Sequence, residues 1–217
     1  MPVYDFDFAK SCTNLDMTAA RSGIFTPNLT SLELHDHEMQ RFNELARRLA
    51  PGQQPFTLDQ IAGAARRVLR AAAKGQDSTF IKVRMRRAGE MRAANKDPKW
   101  KMAPALKADL GGLLDYLDSD TGLIPNHIPT VGLLDDAILV DVAMNKFRTE
   151  LDEYADFCRF RVAEAAHQDI AIDAVDINRE RWFVERQQEQ RLEQQLRRVR
   201  SSTYAKSEGV ERAFRIC

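Results

Sequence analysis

The stretch 122-GLIPNHIPTVGLLDD-136 carries two Ile-Pro pairs four residues apart, then a glycine, then two adjacent aspartates. Pro125 and Pro129 fix their own φ and push Ile124 and Ile128 toward extended backbone. The expectation is a stiff, polyproline-like link that aims both isoleucines in set directions. Leu123, Ile124 and Ile128 then cover the open end of a helical hairpin, and Gly132 permits the chain to bend back. Asp135 or Asp136 is placed to accept N–H groups at the start of the next helix and to complement its positive end. This explains the doubled carboxylate without any chemistry.

The flanks of this connector read as helices. On its N-terminal side Trp100, Ala103, Leu106, Leu110, Leu113, Leu114 and Leu117 recur at helical spacing, which predicts a helix from Lys99 with Pro104 in its first two turns. On its C-terminal side Ile138, Leu139, Val142, Phe147, Leu151, Tyr154, Phe157 and Val162 mark the inward face of a long helix.

Further out, Thr30-Ser31-Leu32-Glu33 reads as a capping box before Phe42, Leu45 and Leu49, with Pro51-Gly52 as the stop. Thr57-Leu58-Asp59-Gln60 opens a second helix, which Gly75 closes. "FIKVRMRR" (80–87) alternates like a strand, yet a lone strand finds no partner here, so residues 78–95 read as a helix ended by Pro98. Beyond Asp176 the chain is polar apart from Trp182, Phe183, Val184, Leu192, Leu196 and Val199, which reads as a long solvated helix with a narrow apolar stripe. The chain is therefore expected to be all-α. Residues 1–29 form an extended arm whose aromatics dock somewhere, 30–176 a helical domain, and 177–217 a long polar helix with a poorly ordered tail.

The segment "LLDYLDSDTGLIPNHIPTVGLLDDAILVDVAM" (113–144) resembles the YkvA-like domain family, a group of domains of unknown function. Its hallmark is a tyrosine-containing helix, an Ile-Pro-Asp-x-Ile-Pro turn, a Gly-x-Leu-Asp-Asp step and a second helix. Leu123, Ile124, Pro125, Ile128, Pro129, Gly132, Leu134, Asp135 and Asp136 match that pattern, and the resemblance covers roughly residues 99–147. Asn126 stands where the family usually has aspartate, and the flanking helices are more polar than in membrane-associated members. The resemblance implies a helical-hairpin fold and no particular activity.

Lys+Arg and Asp+Glu are both 32, so net charge names no partner, but the charges are segregated. Residues 66–107 hold 13 bases against three acids, and 108–176 hold 15 acids against four bases. Two facing helical layers that neutralise each other are the default reading. The alternative is an RNA-binding surface, in an RNA-turnover setting, built from Lys82, Arg84, Arg86, Arg87, Arg92, Lys96, Lys99 and Lys101, with Phe80 or Trp100 to stack on bases. Trp100 itself reads first as core.

A metal-dependent hydrolase ranks third. Asp135 and Asp136 would point about 100° apart on a helix, so the two do not share a site with His127, Asp115 or Asp118. His35-Asp36-His37-Glu38 has neighbours that diverge and reads as a solvated first turn. No nucleophile elbow, P-loop or GxGxxG is present, so no catalytic residue, metal ligand or cofactor is assigned. Cys12, Cys158 and Cys217 lack zinc spacing and suit a reducing cytoplasm, and "MPVYDFDFAK" offers no secretory signal. No segment is long and apolar enough to span a membrane. The expected function is a non-catalytic cytoplasmic interaction module with protein partners, including a second copy paired through residues 177–200.

Overall fold

The computed structural model describes residues 35–76, 78–119 and 121–204. The N-terminal arm, the Thr30–Glu33 capping box and the tail after 204 lie outside them. Within the described residues the protein is all-helical and has no strand. The helices are α1 (Asp36–Leu49), α2 (Leu58–Ala72), α3 (Thr79–Lys96), α4 (Pro104–Leu117), α5 (Leu134–Gln168) and α6 (Arg179–Tyr204).

Local chemistry accounts for most boundaries. α1 opens at His35, whose backbone N–H donates to the Glu38 carboxylate, so His35–Glu38 is a solvated helix start. At α2 the Thr57 hydroxyl accepts from the Gln60 amide while the Gln60 side chain accepts from the Thr57 amide. The Ser78 hydroxyl accepts from the Ile81 amide at the start of α3. "FIKVRMRR" is thus helical, and Ile81, Ala88, Met91 and Ala94 are its buried residues.

The helix expected from Lys99 begins five residues later. Pro104 takes its first turn, where a missing N–H costs nothing, and Lys101 has φ +44°. Trp100 is therefore core, as its apolar bulk suggested, but it is not part of the α4 stripe.

The chain divides into two compact units. The first comprises residues up to Pro98 together with Met102–Tyr154; the second comprises Lys99–Lys101 and residues from Ala155 onward. The division falls inside α5, whereas composition drew its line at 176.

In the first unit α4 packs against α1 and α3. Phe42, Leu49, Ile61, Met91, Leu110, Leu113 and Phe147 are fully buried. Phe42 makes edge contacts with the Phe56 and Tyr116 rings. Ion pairs run between the two charge blocks, from Arg84 on α3 to Asp141 on α5 and from Arg92 to Asp118 at the end of α4. Such exposed pairs add little stability, about 0–1 kcal/mol each, but they set which faces meet.

In the second unit Trp100 is enclosed by Phe157 and Trp182, with ring centroids 5.2 and 5.6 Å away. The Arg179 guanidinium lies over Trp100 at 4.2 Å. Asp156 accepts from the Trp182 indole and, with both oxygens, from Arg186. Burial works against its charge, but Arg186 and Trp182 hold its pKa below the ordinary value.

Candidate functional site: the buried acid pair and its connector

The connector between α4 and α5 is not the extended link its prolines predict. From Pro125 onward it winds through consecutive turns. Ile128 donates to the Pro125 carbonyl, Gly132 to Ile128 and Leu134 to Val131. Thr130 takes the left-handed conformation at φ +74°.

Gly132 allows this winding. A Cβ on it would lie 2.5 Å from the Asn126 carbonyl oxygen and 2.8 Å from that of Ile128. Leu123 and Ile124 are buried as expected, Pro125 and Ile128 are half-buried, and Pro129 is exposed.

Ahead of Pro125 the amides of Leu123 and Ile124 have no helix or sheet to join, and side chains satisfy both. Leu123 N–H donates to the Tyr116 hydroxyl at 2.9 Å, and that hydroxyl donates to Asp135 Oδ2 at 2.9 Å. Ile124 N–H donates to the same oxygen at 3.2 Å. Gly122 makes room for the carboxylate, since a Cβ there would lie 3.1 Å from Asp135 Oδ2. A tyrosine on α4 and an aspartate on α5 thus hold the connector between them.

Asp135 is therefore a clamp on the connector, and the first amides of α5, its own and that of Asp136, also favour its charge. Asp135 is fully buried, and its Oδ1 has no hydrogen-bond partner among the described residues. Burial raises its pKa, against the Ile124 amide and the Tyr116 hydroxyl, which favour the charge. Tyr116 is pushed far above the ordinary tyrosine value, by burial first and then by the Asp135 charge, and stays a neutral donor.

Asp136 points elsewhere. It is buried too, and burial followed by the charge of Asp135 raises its pKa to about 7, with Arg92 opposing and Asp118 adding to the shift.

The other residues considered for a metal do not join this pair. His127 and Asp115 are exposed, and Asp118 is engaged by Arg92. Among the described residues no group of three or more His, Cys, Asp or Glu is placed to hold a metal ion. The arrangement gives two buried acids with different surroundings, one binding backbone and one near a cation.

The basic residues of 82–101 are divided between the two units. Arg84 pairs with Asp141, Arg87 with Glu90 and Arg92 with Asp118 in the first. Lys99 and Lys101 belong to the second, where the Lys99 ammonium donates to the Val175 carbonyl. Lys82, Arg86 and Lys96 are exposed. Trp100 is fully buried, and the Arg84 guanidinium lies over the half-buried Phe80 ring at 4.5 Å.

The Tyr116–Asp135 link, 19 residues long, escaped sequence reasoning. Its one signal is a tyrosine at an inward-facing position beside Leu113 and Leu117, whose buried hydroxyl needs a partner. The exposed face of α6, by contrast, was legible. Leu192, Leu196 and Val199 are 58%, 49% and 60% exposed at spacings of four and three residues. No helix among the described residues is long and apolar enough to cross a membrane. Comparison of the chain with protein-family models, with characterised proteins and with solved structures finds no match.

Proposed function

We propose that the chain is a non-catalytic, cytoplasmic helical interaction module of the YkvA-like kind, which binds protein partners through α6. The observation that carries this is the exposed stripe of Leu192, Leu196 and Val199. Three large aliphatic side chains on one face of a long polar helix are the pattern of a surface that another helix covers. The environment of the acid pair supports the same reading. Asp135 is occupied with a backbone amide and a tyrosine hydroxyl, so it serves the scaffold.

The RNA reading draws on fewer side chains than the sequence suggests. Arg84, Arg87 and Arg92 are engaged by carboxylates, and Trp100 is core.

Affinity capture of the full chain, with and without nuclease, tests the proposal when run beside a Leu192→Glu/Leu196→Glu chain. Both positions are solvent-facing, so the fold is expected to be unaffected. Captured proteins, including an untagged second copy, should survive nuclease and be lost with the double substitution. A captured set that disappears with nuclease from the parent chain would put the RNA reading in its place.

A further inference from the structure

The first unit holds an apolar groove that neither Asp135 nor Asp136 lines. It has a volume of about 650 Å³, within the usual range for binding pockets, and lies between α2, the start of α3 and the first turns of α5. Phe56, Ile61, Val68, Phe80, Ile138 and Val142 form its apolar surface. Most are only half-buried, so the groove is open to an occupant.

The charge at its edge is positive. Arg67 lines it, stands exposed, and makes no ion pair with a described residue. The one acid in the lining, Asp141, is already held by Arg84. An apolar floor with an arginine at its rim fits an extended segment that alternates rings with carboxylates. Side chains two apart share a face in extended backbone, so rings can enter while acids face the rim.

We propose that this groove is filled by the chain's own segment Tyr4-Asp5-Phe6-Asp7-Phe8. The segment lies outside the described residues, and its sequence has the required alternation. Tyr4, Phe6 and Phe8 supply three rings at every second position, and Asp5 and Asp7 supply the charge that Arg67 lacks. Reach is no obstacle. Phe8 and Asp36 are 28 residues apart, a span of up to roughly 90 Å when extended. Tethering raises the local concentration of the segment to about the millimolar range, so modest contacts suffice for occupancy. The arm thus acts as a built-in occupant of a surface that an acidic-aromatic peptide from elsewhere would have to compete for.

Photo-crosslinking of the purified full chain, with p-benzoylphenylalanine in place of Phe6, tests this. A mixture of isotopically light and heavy protein separates links within one molecule from links between copies. The expected product joins residue 6 to α2, to Phe80 or to residues 138–142 of the same molecule. Its yield should fall roughly tenfold when Asp5→Lys and Asp7→Lys are introduced, since the reversed charges meet Arg67. Links to other regions, links chiefly between copies, or no protein link at all would each overturn the proposal.

Discussion

A Gly132→Ala chain should lose about 3 kcal/mol or more of stability, out of the roughly 5–15 kcal/mol a domain of this kind possesses. The added methyl would sit 2.5 Å from the Asn126 carbonyl oxygen and 2.8 Å from both the Asn126 carbonyl carbon and the Ile128 oxygen. All three are backbone atoms in a turn whose own hydrogen bonds resist movement, so relief requires unwinding residues 126–132. That would pull Ile124 N–H away from Asp135 and leave a buried carboxylate poorly satisfied. Urea unfolding followed by circular dichroism measures the loss. Gly111→Ala is the control, because a Cβ there meets nothing within 4 Å, and it should be neutral or slightly stabilising. Equal effects at the two glycines would mean that the connector is looser than its turns imply.

The second large effect is a stability that falls as the solution becomes more alkaline. Asp136 has a folded pKa of about 7 against an ordinary 3.8, so between these values the folded state holds a proton that the unfolded state has released. Stability is then highest below about pH 4 as far as this group is concerned, and declines as pH rises toward 7. At about 1.4 kcal/mol per pKa unit the full excursion is on the order of 4 kcal/mol. Asp135 is shifted in the same direction and adds to the trend. An Asp136→Asn chain should match the parent near pH 4, where the parent side chain is already neutral, and exceed it by a few kcal/mol at pH 8. Unfolding free energies across that range decide the matter. Parallel pH profiles for the two chains would show that Asp136 is not held in the surroundings described here.

The helical class and several boundaries were readable from residues because their causes are local. Thr57 and Gln60 are three apart and cap each other, and Pro51-Gly52 follows the α1 stop at Leu49. The α3 segment was ambiguous for a physical reason. Ala88 and Ala94 form much of its buried face, and such small residues give a weak periodic signal beside the conspicuous alternation of Ile81, Val83 and Met85.

What stayed hidden depends on distant partners. Trp100 looks like the first residue of a helical stripe until Phe157 and Trp182 are brought around it from far along the chain. The prolines correctly marked a break between helices but not its form. Whether an Ile-Pro segment extends or winds depends on Gly132 admitting the Asn126 carbonyl, a contact between residues six apart. Asp135 was recognised as a group that ties down amides. Besides the first amides of α5 it also holds that of Ile124, and the tyrosine that completes the link lies on the preceding helix.

The central claim is that Asp135 holds the connector in place as part of the scaffold and is not an ion ligand. The most direct test is the unfolding free energy of Asp135→Asn beside that of Asp135→Ala at pH 6. Asparagine retains an oxygen for Ile124 N–H and the Tyr116 hydroxyl while removing a buried charge. Its stability should therefore lie within about 1 kcal/mol of the parent. Alanine leaves both donors unsatisfied in a buried setting and should cost about 2–4 kcal/mol. Equal stability for all three chains, with a stoichiometric divalent ion bound by the parent and lost from both variants, would contradict it.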